Sequence, residues 1–192
     1  MVILVVGLAL FLGSHMVRVL ADGWRTRMVA RHGEGRWKGA YSLVAIAGLG
    51  LAIYGFGLAR AAPVLVFSPP IWLRHLNMLF TLLSFVCFAA VYVPRNHLKA
   101  AIGHPMYAGT KTWALGHLLA TGLLHDVVLF APILAWSVAG FAASRRRDRR
   151  DGTTYPAGTL GGTAATIALG AAAWALFAFF GHAWLIGLSP FA

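Results

Sequence analysis

Apolar residues fall into six long runs along this chain, separated by shorter polar or basic segments. A membrane-spanning helix needs about 20 residues, with a range of about 17–25. The predicted spans cover residues 2–20, 40–59, 71–93, 105–121, 124–143 and 160–186. The fourth is at the short limit. The pattern predicts an all-α integral membrane bundle of six transmembrane helices, in one domain over residues 1–192.

Lysine and arginine residues lie almost entirely in alternate connections between these spans. Fourteen of the 16 fall in segments 18–38, 94–111 and 145–150, whereas Arg60 and Arg74 lie elsewhere. An excess of these residues marks cytoplasmic segments. Arg18 follows the first apolar run and no basic residue precedes it, so we expect a retained helix rather than a cleaved signal peptide. The predicted topology places both termini outside, on the periplasmic side.

Composition agrees with a membrane protein and limits the chemistry. The chain is 59% hydrophobic with a mean hydropathy of +0.75, whereas soluble domains are about 45–50% apolar. The net charge of +11 comes from residues between apolar runs, so we interpret it as a topology signal that contacts anionic membrane lipids, not nucleic acid. A single cysteine, Cys87, excludes an intramolecular disulfide and a cysteine-cluster metal site.

Glycine and other small residues recur at helical spacing in three of the spans. Small residues let membrane helices approach closely, so those of the second and sixth spans predict packing faces. The fourth span carries a stripe that admits either a flat ring or a neighbouring helix. The second span has Gly48, Gly50, Gly55 and Gly57, and the sixth is assigned Gly158, Gly162 and Gly170. The stripe of the fourth span is Gly109, Thr112, Gly116 and Ala120. Gly122 is predicted to cap the fourth helix.

Eight histidines are the main candidates for chemistry. His32 and His97 lie in basic segments, where we expect them to be solvated. His75, His125 and His182 lie near the predicted outer ends of spans. His15 and His117 lie well inside spans, and His104 lies at the cytoplasmic mouth of the fourth.

Two interpretations of His15 and His117 remain open on the residues alone. Imidazole is the commonest metal ligand and a frequent axial ligand of haem. Intramembrane histidines also pair with backbone carbonyls or line polar cavities. Arg18 and Asp22 share a helical face with His15, so Arg18 either binds a haem propionate or extends to headgroups and pairs with Asp22. The predicted offset of about 12 Å between the depths of His15 and His117 makes His104 the easier partner on depth alone.

Several other chemistries lack the residues they need. Glu34 is the only glutamate, and Asp126 is the only carboxylate on the predicted outer side. The sequence therefore has no paired carboxylates for glycosidase or aspartic-protease work. It also has no zinc motif of histidine and glutamate, and no glycine-rich phosphate loop.

The motifs together resemble the NnrU family of bacterial membrane proteins over nearly the whole chain. They are Ser14-His15-x-x-Arg18, Tyr41-Ser42-Leu43-Val44-Ala45, Gly55-Phe56-x-x-Ala59-Arg60, His104-Pro105, Trp113-Ala114-Leu115-Gly116-His117-Leu118-Leu119-Ala120-Thr121-Gly122 and Leu185-Ile186-Gly187-Leu188-Ser189-Pro190. The resemblance implies a multi-pass protein of the bacterial inner membrane, linked to denitrification and nitric-oxide metabolism.

That family is similar to the 15-cis-zeta-carotene isomerases of plants and cyanobacteria, membrane enzymes that hold haem b between two intramembrane histidines. The resemblance carries those ligands over to His15 and His117, with Arg18 as a propionate partner and His104 in reserve. In the isomerases the second histidine closes a Cys-x-x-His motif, whose cysteine is Ala114 in this chain. That departure counts against isomerase activity and leaves bis-histidine haem binding intact.

The resulting expectation is a haem b-binding membrane protein that handles electrons, haem or nitric oxide, with no redox partner identified by the sequence. One alternative is a haem-dependent cis–trans isomerase acting on a lipophilic polyene. The other is a membrane assembly or transport protein without a cofactor, whose histidines form hydrogen bonds inside the bundle.

Overall fold

Residues 1–191 are described by the computed structural model, and their regular structure is helical. The helices are α1 (Val2–Leu20), α2 (Asp22–His32), α3 (Glu34–Arg60), α4 (Trp72–Tyr92), α5 (His97–Ile102), α6 (Pro105–Ala120), α7 (Leu124–Asp151), α8 (Leu160–Leu176) and α9 (His182–Ile186). A π-helical turn, Phe177–Gly181, joins α8 to α9. In this described part the only β-type pairing is one isolated bridge between Leu65 and Leu123.

The long helices pack in the order α3, α1, α7, α6, α4, α8, each mainly against its neighbours in this series. Helix α7 therefore lies between α1 and α6, although it follows both in the chain. Contacts run in the same direction along α1 and α7, since His15 meets Trp136 and Arg18 meets Arg147. They run in opposite directions along α6 and α7, since Tyr107 packs against Gly140 and His117 stacks on Phe130. Hence α1 and α6 are antiparallel.

Five of the described helical segments are long and apolar enough to cross a membrane: α1, α3, α4, α7 and the segment from α8 to α9. The protein is therefore a multi-pass membrane protein. The remaining predicted span forms α6, which has 16 residues and packs between α4 and α7.

All three basic segments predicted as connections contain helix. Residues 22–32 form α2, residues 97–102 form α5, and α7 continues through the arginine run to Asp151. Arginine is a strong helix former, and its charge interacts favourably with the carbonyl end of a helix. Helix α7 stops where Gly152 takes a left-handed conformation with φ of 64°, a common C-terminal cap.

Small residues make the closest helix contacts, as predicted. A Cβ atom on Gly48 would lie 2.5 Å from the backbone N of Phe11, and one on Gly55 would collide with the backbone N of Leu4. The other two predicted glycines of α3, Gly50 and Gly57, meet nothing within 4 Å. Only one of the two glycine faces of α3 is therefore a packing face.

The predicted cap at Gly122 is a close approach to another segment instead. Helix α6 ends at Ala120, and Thr121 is already extended. The carbonyl of Gly122 accepts a hydrogen bond of 2.8 Å from the N–H of Val66, and a Cβ atom there would collide with the carbonyl of Phe67. Position 122 must be glycine because the 64–67 segment crosses it.

The bundle has two distinct ends. The basic end holds the C-terminus of α7, where the Arg147 guanidinium donates to the carbonyl of Arg18 at 3.3 Å. The opposite end holds the start of α1 and the end of α9, and there Arg60 donates to the carbonyl of Ile186 at 2.6 Å.

Candidate functional site

His15 lies near the end of α1, where rings from three helices surround it. Its Nδ1 is 2.7 Å from the carbonyl oxygen of Phe11, one turn earlier. The imidazole centroid is 4.5 Å from the ring of Phe11, 5.3 Å from Tyr41 on α3 and 5.5 Å from Trp136 on α7. His15 is half-buried.

His117 lies near the end of α6 in a comparable setting. Its Nδ1 is 2.9 Å from the carbonyl oxygen of Trp113, also one turn earlier. The imidazole stacks on Phe130 of α7 at 4.6 Å between centroids and 25° between planes. Trp113 packs beside it at 5.1 Å. His117 is half-buried as well.

The matching hydrogen bonds determine which nitrogen of each imidazole carries a proton. A backbone carbonyl can only accept, so Nδ1 of each ring must donate. In a neutral ring this leaves Nε2 as a free lone pair. Histidines that ligate metals almost always donate their other N–H to a carboxylate, carbonyl or water in this way. His15 and His117 are therefore both held in the tautomer suited to coordination through Nε2.

The two histidines lie at different levels along α7. Phe130 and Trp136, their contacts on α7, are six residues apart, which corresponds to about 9 Å along a helix. Side chains lean toward the N-terminus of their helix. Because α1 and α6 are antiparallel, His15 and His117 lean toward each other along the bundle. The backbones of these two helices are not adjacent in the described chain, and α7 packs against both.

The indole of Trp136 is the unusual polar group of the His15 cluster. Its Nε1 is buried and has no hydrogen-bond partner among the described residues. The ring contacts His15 on one helix and Tyr107 on another, the latter at 5.2 Å. An unsatisfied buried donor lowers stability by about 1–3 kcal/mol. The Trp136 indole therefore either destabilises the fold by this amount or donates to a bound ligand.

The small-residue stripe of α6 packs against a helix rather than forming an open slot. A Cβ atom on Gly109 would meet the ring of Phe88 at 2.7 Å, and one on Gly116 would collide with Oδ1 of Asn77. Helix α4 therefore covers this stripe. Oδ1 of Asn77 is the second buried polar atom without a partner in the described part of the chain.

Arg18 and His104 lie apart from the rings of His15 and His117. The Arg18 side chain is exposed, and no ion pair between it and Asp22 is formed among residues 1–191. His104 is at the N-cap of α6, where its Nε2 donates to Oδ2 of Asp148 at 2.9 Å. Because Nε2 of His104 carries a proton, it is not free for a metal.

His104 belongs to a hydrogen-bonded network at the basic end. The hydroxyl of Tyr155 donates to Oδ2 of Asp148 at 3.0 Å and lies 3.2 Å from Nε2 of His104. Arg145 adds an ion pair to the same carboxylate at 3.6 Å. Burial, and then the hydrogen bond to Asp148, raise the pKa of the Tyr155 phenol above its ordinary value. The network ties the connection after α7 to the start of α6.

His125 lies in the first turn of α7 and is buried at 3% exposure beside the ring of Phe56. Its neighbour Asp126 is also buried, and Oδ1 of Asp126 lies 3.7 Å from Nε2 of His125. His97 is exposed, as expected for a basic segment, and its ring is bonded to Thr163. These histidines form no metal cluster, because within residues 1–191 no three His, Cys, Asp or Glu side chains come together.

An apolar groove of about 330 Å³ runs between α1 and α7 and opens to the side of the bundle. Its lining consists of Val5, Leu8, Ala9, Leu12, Val128 and Pro132. His15 follows Leu12 by three residues, and Trp136 follows Pro132 by four. The groove therefore ends about one helical turn short of the His15–Trp136 contact.

Sequence reasoning selected His15 and His117 but missed the side chains that other helices bring to the site. Tyr41, Tyr107 and Trp136 come from three different helices and meet only in the folded bundle. One signal was present, because Trp136 and Gly140 are four residues apart and present a bulky and a small residue on one face of α7. Tyr107 packs against both.

Comparison with known proteins identifies one family. A family model for NnrU, described as "NnrU protein", matches residues 3–190. Comparisons with curated proteins and with solved structures gave no significant match.

Proposed function

This chain belongs to the NnrU family, and from that premise we propose that it is a haem b-binding protein of the bacterial inner membrane that takes part in nitric-oxide metabolism linked to denitrification. In this proposal α6 is the sixth span and both termini are periplasmic, so the basic end faces the cytoplasm. His15 and His117 would hold the haem iron through their Nε2 atoms.

The observation that carries the proposal is the matched anchoring of the two imidazoles. Each donates Nδ1–H to the carbonyl four residues earlier, so each presents Nε2 as a lone pair. An intramembrane histidine that served only to satisfy a hydrogen bond would need no such second copy on an antiparallel helix. Haem takes two axial ligands from protein, which is the number offered.

The surrounding residues fit a flat, largely apolar group. Phe11, Tyr41, Trp113, Phe130 and Trp136 supply aromatic faces and edges beside the two histidines. Arg18, one turn beyond His15 toward the basic end, is exposed and able to pair with a propionate by two parallel hydrogen bonds. A bound haem would supply one-electron chemistry. The protein orients both imidazoles and excludes water from them.

An optical spectrum of the detergent-purified protein tests the proposal directly. We expect a Soret band, and sharp α and β bands after reduction with dithionite, as for iron with two histidine ligands. His15→Ala and His117→Ala should each lower haem occupancy about tenfold or more, in the range seen when metal-site residues are lost. The matched controls are His32→Ala and His97→Ala, which remove exposed imidazoles and should retain full occupancy.

Two results would contradict the proposal. A featureless spectrum that stays unchanged after added hemin would favour an assembly or transport protein without a cofactor. Equal haem in all four variants would show that His15 and His117 are not the ligands. If His15→Ala loses haem but His117→Ala does not, His104→Ala identifies whether the reserve histidine is the second ligand.

The alternative of a haem-dependent polyene isomerase has less support in this chain. Position 114 is a fully buried alanine, so the motif ending at His117 supplies no thiol to exchange for a ligand. The lateral groove lined from Val5 to Leu12 follows only about 10 Å of α1. A change of iron ligand on reduction would favour the isomerase, whereas an unchanged two-histidine spectrum would favour electron or nitric-oxide chemistry.

A further inference from the structure

We propose that Tyr41 and Tyr107 bind the propionates of the haem, each by donating its hydroxyl to a carboxylate oxygen. This assignment rests on the proposed haem function and deepens it, because it names the residues that hold the charged edge of the ligand. It is supported by two phenols without a partner, by their common level in the bundle, and by the exposed cation of Arg18 at that level.

Tyr41 and Tyr107 differ from the other three tyrosines of the chain. Tyr54 and Tyr92 are exposed at 61% and 75%, and Tyr155 is hydrogen-bonded at the basic end. Tyr41 and Tyr107 are half-buried, and in the described part of the chain neither hydroxyl makes a hydrogen bond. A polar group taken out of water without a partner lowers stability, so both phenols call for an acceptor from outside the protein.

The packing of α3 on α1 places Tyr41 level with Arg18. The two helices are antiparallel, and their register is set by two contacts seven residues apart, Gly55 with Leu4 and Gly48 with Phe11. One further step of seven residues in this register pairs position 41 with position 18. The Tyr41 ring also lies 5.3 Å from the imidazole of His15 between centroids, so the phenol is beside a proposed iron ligand and near a cation.

The packing of α6 on α7 brings the hydroxyl end of Tyr107 to a similar level. A Cβ atom on Gly140 would lie 2.7 Å from Cζ of Tyr107, the atom that carries the hydroxyl. Gly140 follows Trp136 by four residues, about 6 Å, and Arg18 follows His15 by three, about 4.5 Å. Because His15 and Trp136 are in contact on parallel helices, Arg18 and the Tyr107 phenol lie a similar distance toward the basic end.

A carboxylate bound at this level satisfies donors that the protein leaves unpaired. The phenols of Tyr41 and Tyr107 are close enough to interact electrostatically. Unlike Nε1 of Trp136, neither hydroxyl oxygen is closed to a ligand. A hydroxyl that donates to a carboxylate forms a short, strong hydrogen bond, and an uncharged donor is less costly inside the bilayer than a further cation. Haem b carries two carboxylates at one edge, for which the two phenols and Arg18 supply the donors.

Hemin and its dimethyl ester test the assignment, because the ester has the same iron and ring but no carboxylate. Each is titrated into full-length protein prepared without haem, and binding is followed at the Soret band. We expect Tyr41→Phe and Tyr107→Phe each to raise the Kd for hemin about tenfold, as for one lost hydrogen bond to a charged group. Both variants should bind the ester as the unaltered protein does, and the reduced spectrum should remain that of iron with two histidine ligands.

The matched controls are Tyr54→Phe and Tyr92→Phe, which remove exposed hydroxyls from α3 and α4 and should leave both affinities unchanged. Resonance Raman spectra of the loaded samples give a measure that does not depend on affinity. The propionate bending band should shift to lower frequency in Tyr41→Phe and in Tyr107→Phe, because a hydrogen bond to the carboxylate is lost, and should not shift in the controls.

Two outcomes would overturn the assignment while leaving the haem proposal intact. In the first, Tyr41→Phe and Tyr107→Phe bind hemin like the unaltered protein, although His15→Ala does not. In the second, these variants lose affinity for hemin and for its ester equally, which would mean that the hydroxyls support the fold or bind a lipid headgroup. Ester binding by the same samples shows that each variant is folded. Failure of the unaltered protein to bind either ligand would contradict both proposals.

Discussion

Single hydrogen bonds at the basic end join parts of the chain that are far apart in sequence. The Tyr155 hydroxyl donates to Asp148, and its ring lies against Gly103, where a Cβ atom would be 2.8 Å from Cε2 of the ring. Gly103 has φ of 75°, a conformation that favours glycine. One phenol thus connects the end of α7, the start of α6 and the connection between α7 and α8.

Alkaline titration of Tyr155 should loosen this connection. Burial and the bond to Asp148 raise the pKa of the phenol in the folded protein, so its contribution to stability is complete below the ordinary pKa of about 10 and is lost as the pH rises through the folded value. Absorbance at 295 nm of the wild type minus that of Tyr155→Phe reports this one group. We expect the difference to titrate above pH 10.

Hydrogen exchange gives the matching structural measurement. Amides of residues 152–159 should exchange faster in Tyr155→Phe than in the wild type at neutral pH, because the ring remains and only the hydroxyl is lost. A difference spectrum that titrates at or below pH 10, or equal exchange in both proteins, would contradict the assignment of this network.

At the scale of helices, α3 presents two glycine pairs with the same spacing but different surroundings. Gly48 and Gly55 are seven residues apart, and so are Gly50 and Gly57. The periodicity of the sequence is the same for both pairs. Only the first pair faces α1, whose backbone atoms lie too close to leave room for a Cβ atom at either position.

Alanine substitutions should separate the two faces. Gly55→Ala places a methyl group against the backbone of Leu4 and should lower the free energy of unfolding by about 1–3 kcal/mol. The matched control Gly57→Ala meets nothing within 4 Å and should change it by less than about 1 kcal/mol, in the stabilising direction. Unfolding in mixed detergent micelles measures both. Equal losses would mean that α1 and α3 do not pack through this face.

The positions of the long helices were predicted from the sequence better than the contacts between them. Apolar run length located each long helix, because hydrophobic thickness sets it. The extension of α7 through the arginine run was missed, because charge patterning was interpreted as a connection although arginine favours helix. His15 and His117 were identifiable as polar residues inside apolar runs, whereas Trp136, which contacts the first, looked like any other apolar residue of its helix.

At the scale of the whole molecule, the topology depends on whether α6 crosses the membrane. Between Ser68 and Thr153 the chain forms α4, the six-residue α5, α6 and α7. If the 16-residue α6 spans the membrane, Ser68 and Thr153 lie on opposite sides of the membrane. If α6 does not span the membrane, both positions lie on the same side.

Cysteine labelling in intact spheroplasts distinguishes these cases. Ser68→Cys and Thr153→Cys, each made in a Cys87→Ser background, place a thiol at an exposed position. An impermeant maleimide should label position 68 only, and position 153 should react after the membrane is opened. Labelling of both before opening would mean that α6 does not cross.

The place of α7 between α1 and α6 has a consequence for biogenesis. Trp136 is made about 120 residues after His15, which at a synthesis rate of about 5–20 residues per second is an interval of roughly 6–24 s. Until then a ribosome-bound intermediate carries His15, and over about the last 20 residues also His117, without the helix that packs against both rings. Any prosthetic group must therefore load after translation is nearly finished, and a chain released before α7 is made should reach quality-control proteases without one.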